Sequence, residues 1–507
     1  MSLAIYLVVA FGFATGAWVT RGRATTSSVV GIGGLLVATI AAIAIDPAEA
    51  VAMGGGELAT TAYLRLFLIL GSAVGMGLAI SGLAGATHRD LPAITLATLG
   101  FGALTLGLAD PRAAVLTGTA GGLCGALLAV GRGGDRAGAT VGIRDLRAVV
   151  VAGTLAAVAT AWIGRDLQQL DTPPIVFGLA YLAVAVAVAI RFGAIPFHVW
   201  AARLTEAVPE TGLPVVTVLA AAPFAIVGLG WADSSIAPLL VDLGAERGVI
   251  LAIAVASIVL AALAALVQDD VEHVVAYSIV GDAGVALLAL VALEPDAWGP
   301  ARTWILALVV ARSAFAAWAG GLRVAFRTGR IVELRGWIVR SPLLAVAFGL
   351  IVIASIGVPG MAAFEARSSL AALAVDGPMA MLVVIGTLAP IVYYGRLLSV
   401  GLGRPDGPRE PEVEWRPRVG RLDLTALGDW WRTTWDTNRA FTGAMVAALL
   451  GLLALATSAG AFGGPEAAAG LAPGGVVPIT TAAPSGSAPP PLPQPSAEPS
   501  FLPLPTE

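Results

Sequence analysis

Apolar stretches of about 20 residues recur from the first residues of the chain to about residue 460, and no other feature limits the fold so strongly. Each is long enough, as a helix, to cross a hydrocarbon layer of roughly 30 Å. Only 12% of the 507 residues are charged against 57% hydrophobic, which is too few charges to coat a soluble body of this size. The stretches are built of Leu, Ala, Val and Gly without strand-like alternation, so they predict helices and not a barrel. The expected fold is therefore all-α: a polytopic membrane bundle of about fourteen transmembrane helices, some of them discontinuous. A single cysteine, Cys124, excludes a disulfide framework or a multi-cysteine metal centre, and the scattered histidines carry no metal signature. The net charge of -4 says nothing in favour of a nucleic-acid partner.

The predicted crossings run near 2–19, 27–47, 63–86, 91–109, 113–130, 147–164, 174–193, 212–232, 247–267, 274–293, 302–320, 341–357 (continuing brokenly to about 376), 378–400 and 440–461. The first has neither a basic lead nor a convincing cleavage site, so it is expected to remain in the mature protein. Alternate connections collect arginine, as in Arg21, Arg89, Arg144, Arg203 and the run from Arg323 to Arg340. The opposite side is richer in acids such as Asp46, Asp166, Asp242 and Asp296. By the positive-inside rule, the arginine-rich side is cytoplasmic and both termini lie outside a bacterial-type cell membrane. Residues 1–400 are expected to form the bundle. Residues 401–439, where Trp415, Trp430, Trp431 and Trp435 alternate with arginines, read either as a cytoplasmic loop ending in an interfacial helix or as an ordinary charged loop. After a last helix at 440–461, the Pro/Gly/Ala-rich tail 462–507 is expected to be disordered.

Chemistry concentrates where ionisable groups enter these runs. Arg191 closes the seventh run and is followed by Pro196, His198 and Trp200, then by Glu206, Pro209 and Glu210. Proline withholds a backbone donor and loosens the turn before it. The segment reads either as a discontinuous helix carrying an Arg191–His198–Glu206 cluster or as a snorkelling arginine beside an interfacial histidine. Asp282 lies inside the tenth run and Arg312 midway along the next, antiparallel one. An isolated charge there costs about 2.5–3.5 kcal/mol or more, so a pair is expected, either structural or as a step in an ion path. Gly357, Pro359 and Gly360 interrupt the twelfth run just before Glu365 and Arg367, a second broken-helix candidate. Arg396, after Tyr393 and Tyr394, reads as an end marker or as a further path residue.

Taken in order, these segments carry a resemblance: Pro196-Phe197-His198-Val199-Trp200 with Glu206 and Pro209, Gln268 and Asp270 with Ala276-Tyr277-Ser278, Gly357 and Pro359 with Phe364 and Arg367, and Tyr393-Tyr394 with Arg396. The chain resembles the antiporter-like membrane subunits of NADH-quinone oxidoreductase, nearest the subunit N type, and the related large subunits of cation/proton antiporters. The similarity extends over about residues 60–400. It implies a membrane-arm translocase subunit of a respiratory chain complex in which buried charges and water conduct protons. It further implies other membrane subunits and lipid as partners. No cofactor and no redox chemistry are expected in this chain, since NADH and quinone would be used by partner subunits.

The chain departs from the family pattern at charged positions. Arg191 stands where the family has lysine, as does Arg367, and Glu272-His273 replaces a Lys-Arg pair. A further family lysine falls near Ala221, and a family glutamate falls within Thr117 to Ala120, where the fifth run has no acid. Lysine can be brought to release its proton by burial, whereas arginine holds its own. Proton translocation by a modified path through Arg191, His198, Glu206, Asp282, Arg312, Glu365, Arg367 and Arg396, a non-pumping structural subunit, and a stand-alone or differently partnered cation/proton transporter all fit this pattern.

Overall fold

The structure is a computed structural model that describes residues 2–47, 50–53, 56–84, 90–130, 136–163, 174–237, 242–404 and 441–457. The expected interfacial helix within 401–439 and the tail 462–507 lie outside the described residues, apart from the first few positions of the connection.

Each apolar run folds as helix. Helix α1 (Leu3–Val19) and α2 (Ala24–Ile43) form a hairpin about a tight turn at Thr20–Gly22. The Ser27 hydroxyl donates to the Ala17 carbonyl at 2.9 Å and ties the two ends together. Between α2 and the next helix, β1 (Ala50–Met53) and β2 (Gly56–Ala59) pair antiparallel, with Ala50 opposite Ala59, a small sheet that the apolar pattern does not predict. Helix α3 (Ala62–Ala84) starts where the Thr61 hydroxyl accepts the Leu64 N–H at 3.0 Å, an N-terminal cap. Then follow α4 (Leu91–Gly107), α5 (Pro111–Val130), α6 (Arg136–Trp162) and α7 (Pro174–Phe192). Proline within the first turn of α4, and at the first position of α5 and α7, sits where the missing N–H costs nothing. Helix α6 begins eleven residues before the predicted crossing at 147, because the polar stretch from 136 continues the same helix.

The chain breaks after Phe192. Gly193 takes φ +66°, a short helix α8 (Val199–Arg203) and tight turns at Leu204–Glu206 and Glu210–Gly212 follow, and a π-turn spans Val215–Leu219 before α9 (Ala222–Trp231). Every residue from Glu210 to Ala232 is buried. Helices α10 (Gly244–Val267), α11 (Val271–Ala292) and α12 (Pro295–Phe326) come next. Gly284 lets α11 lie against α10 so closely that a Cβ there would stand 2.5 Å from the Ala254 carbonyl oxygen. Short α13 (Trp337–Arg340) leads to α14 (Pro342–Ile356). Gly357 at φ +73° and Gly360 at φ +91° then separate it from α15 (Ala362–Ala374), the second helix break predicted from the sequence. Helices α16 (Pro378–Gly386), α17 (Pro390–Leu402) and α18 (Phe441–Thr457) complete the described chain.

Among the described residues, ten helical stretches are long and apolar enough to span a membrane, and three shorter apolar helices accompany them. Burial sorts the layers: α9, α11 and α12 are enclosed, whereas α1, α2, α10 and α16–α17 turn large apolar side chains outward. In a membrane those faces meet lipid. An aromatic stack of Phe315, Trp318, Trp337, Phe348 and Tyr394, with ring centroids 4.8–5.8 Å apart, fixes α12 against α13, α14 and α17.

Candidate functional site: a buried charge network on α11, α12 and α17

Asp282 and Arg312 meet. The Arg312 Nε donates to Asp282 Oδ2 between α11 and α12, with the arginine side chain fully buried and the carboxylate 7% exposed. The short connection between α11 and α12 makes them antiparallel neighbours, which brings the acid of one beside the arginine of the other. Arg312 Nη1 donates to the Tyr394 hydroxyl at 2.7 Å, and the Tyr393 hydroxyl lies at 3.5 Å. Trp304 Nε1 donates to the Asp282 backbone carbonyl at 3.1 Å, which fixes the helix turn carrying the acid. The two tyrosines were legible in the sequence only as neighbours of Arg396, yet they are the second anchor of Arg312.

Beside the pair is a small cavity of about 10 Å³, lined by Tyr277, Ser278, Asp282, Trp304, Thr387 and Tyr393. That is room for about one water among polar groups able to hold it. Arg367 reaches towards the same region from α15. It donates to the carbonyls of Ile356 and Thr387, the latter at 3.4 Å, stacks over Phe364 at 5.5 Å, and lies within electrostatic reach of Asp282 and Arg312. It thus satisfies carbonyls at the ends of α14 and α16.

A second cluster closes one end of α11. Arg323, near the end of α12, forms an ion pair with Glu210, Nε to Oε1 at 2.6 Å, and donates from Nη2 to Glu272; its side chain is 41% exposed, while the acids are 7% and 15% exposed. The Thr205 hydroxyl and His273 Nε2 lie 3.1 Å apart, and the His198 and Tyr277 rings approach to 6.1 Å. Polar groups thus follow α11 from Glu272 and His273 through Tyr277 to the Asp282 cavity.

The other predicted residues are not gathered there. Arg191 is buried, 1% exposed, and makes no hydrogen bond to His198 or Glu206 among the described residues, so the Arg191–His198–Glu206 cluster, one of the two readings of this segment, is not formed. Glu206 is exposed on a tight turn, His198 stands beside Tyr277, and the charge facing Arg191 is Asp145 of α6. Asp145 was hidden in the sequence because Arg144 and Arg147 flank it in what reads as a charged connection. Glu365 is exposed and accepts the Gly360 N–H at 3.0 Å, so it turns away from Arg367. Arg396 donates to the carbonyls of Leu266 and Gln268 and caps the end of α10. In the broken region after Phe192, the π-turn and α9 hold no ionisable side chain, as the Ala221 position predicts.

Residues 166–392 match the family described as NADH:quinone oxidoreductase/Mrp antiporter, transmembrane. NADH-quinone oxidoreductase subunit N of Halorhodospira halophila is 26% identical over 268 residues, covering 50% of this chain and 52% of that protein. The chain spans about half the length of the curated relatives it matches. The fold is shared more widely than the sequence. A chain of the Mrp complex from Dietzia sp. superposes with a TM-score of 0.69 at 18% identity, covering 92% of this chain and 95% of that one. A chain of respiratory complex I from Thermus thermophilus superposes at 0.65 and 18% identity, covering 89% and 98%.

Proposed function

We propose that this chain, whose residues 166–392 carry a NADH:quinone oxidoreductase/Mrp antiporter membrane domain, is a membrane-arm subunit of an NADH-quinone oxidoreductase-like complex and moves protons through the Asp282–Arg312 network. Quinone reduction belongs to neighbouring subunits in this reading, and the arginine-rich end of the bundle faces the cytoplasm. The observation that carries it is a buried ion pair, held by two tyrosine hydroxyls, next to a water-sized cavity. Intramembrane ionisable groups that face the bundle interior mark ion paths more often than lipid-facing ones do.

The chemistry assigns different tasks to the two partners. Arginine does not give up its proton, so Arg312 is the fixed charge and Asp282 the group that accepts and releases one. Protonation of Asp282 would weaken its bond to Arg312, while Tyr393 and Tyr394 retain the guanidinium in place. Glu272, His273 and Tyr277 supply a polar approach along α11, Arg367 adds to the local field, and Glu206 stands at its outer margin. Arg396 and Glu365 serve the backbone and are left out of the path.

A second reading, a structural subunit that no longer pumps, is favoured by one feature. The fully buried stretch from Thr211 to Ala232 has no ionisable side chain. Reconstitution of the complex purified from native membranes separates the two. Asp282→Asn is expected to lower proton translocation per quinone reduced in an assembled complex; unchanged translocation would transfer the assignment to the structural reading. Purification without quinone-reducing partners would overturn the proposed assembly itself.

A further inference from the structure

A second buried charge lies away from this network. Arg191 ends α7 at 1% exposure, and its Nε, Nη1 and Nη2 find no hydrogen-bond partner among the described residues. Asp145 of α6 is 0% exposed, and both its carboxylate oxygens are equally unpartnered. The two interact electrostatically. Gly122 of α5 explains how the guanidinium fits: a Cβ there would stand 2.8 Å from Arg191 Nη2 and 2.9 Å from Val149 Cγ1. Val149 is one turn beyond Asp145, so the face of α6 that bears the acid is the face turned to Gly122 and Arg191.

We infer that Asp145 is the counter-charge of Arg191 and that water joins them, making the junction of α5, α6 and α7 a hydrated ion-pair site. A guanidinium offers five N–H donors and a carboxylate about four acceptor positions, and buried groups of this kind are satisfied by protein or by water. Among the described residues, protein atoms supply no hydrogen bond to either side chain at this junction. Water supplies both, since it accepts from the arginine and donates to the aspartate. A dry site would leave the guanidinium unsolvated in a low dielectric, which arginine cannot escape by deprotonating. The acid comes from α6, and Gly122 on α5 makes the space that the guanidinium occupies.

The site shares no residue with the Asp282 network, so the inference stands or falls separately from the transport reading. The test uses the full chain in its purified complex, with Asp145→Asn, Arg191→Met and the double variant. Each single change is expected to lower the thermal midpoint by several degrees, and the double to lie nearer wild type than either, because it leaves no orphan charge. Strictly additive losses, or singles at the wild-type midpoint, overturn the pairing. Radiolytic footprinting, in which bound water yields hydroxyl radicals that oxidise adjoining side chains, reads the hydration. Val149 is expected to be oxidised in the wild type and severalfold less in the double variant. No oxidation of Val149 in the wild type overturns the water. If Asp145→Asn does not accumulate, Asp145→Glu keeps the charge: folding with wild-type Val149 oxidation supports the site, and loss of that oxidation overturns it.

Discussion

Replacing Asp282 by asparagine separates charge from shape at the centre of the bundle, and the structure sets the size of the effect. Breaking a buried ion pair from one side costs about 3–5 kcal/mol, because the remaining charge is stranded. Arg312 is only partly stranded, since Tyr394 still accepts its N–H at 2.7 Å and an asparagine carbonyl can replace the carboxylate as a neutral acceptor. A retained neutral hydrogen bond is worth about 1 kcal/mol, so the loss is expected near the lower end, about 3 kcal/mol. That is about a hundredfold in the folding equilibrium. The reciprocal change, Arg312→Met, is expected to cost less, because an unpaired Asp282 can neutralise itself by taking up a proton whereas an unpaired arginine cannot. The double variant should recover most of the loss. Unfolding in mixed micelles titrated with a denaturing detergent gives the order directly. An Arg312→Met loss larger than that of Asp282→Asn, or a double variant as unstable as Asp282→Asn, would refute the assignment of Arg312 as the fixed charge.

Two further outcomes follow from contacts outside that pair. Arg396→Ala frees the carbonyls of Leu266 and Gln268 at the end of α10 and is expected to cost about 1–3 kcal/mol in the same unfolding assay without altering proton translocation; a translocation defect in a stable variant would put Arg396 back in the path. Gly284→Val places a side chain against the Ala254 carbonyl at a position where even a Cβ stands 2.5 Å away, so α10 and α11 must separate. A loss of about 1–3 kcal/mol or more is expected, and wild-type stability would show that the helices do not pack so closely.

The bundle was legible because hydrocarbon imposes length and polarity on every crossing, and each apolar run accordingly holds a helix. Breaks at Gly193 and Gly357 were legible for a related reason: glycine and proline near charged side chains announce backbone that cannot stay regular. The Asp282–Arg312 pair followed from depth alone, since consecutive helices are antiparallel neighbours. Asp145 did not. Its pairing depends on the rotation of α6, on a missing side chain at Gly122 and on α7 ending beside both, three facts of tertiary packing with no local signature. The carbonyls that Arg396 caps were hidden for the same reason, because they lie more than a hundred residues earlier.

The two buried arginines also differ in how their surroundings hold them. Arg312 has Asp282 and two tyrosine hydroxyls, each on a rigid helix, so moving its guanidinium breaks several bonds at once. Arg191 has the space left by Gly122 and an acid that makes no direct hydrogen bond with it. A charge held by fixed protein donors and acceptors stays in register, whereas one held through water follows that water when it rearranges. In the transport reading this divides the labour. Neither arginine carries a proton; Arg312 holds the field constant around Asp282, and Arg191 sustains a polar, hydrated point at the arginine-rich end of α6 and α7. In that reading the arginines at 191 and 367, where the family pattern has lysine, keep a charge but no exchangeable proton, and the carboxylate Asp282 becomes the group on which proton movement depends.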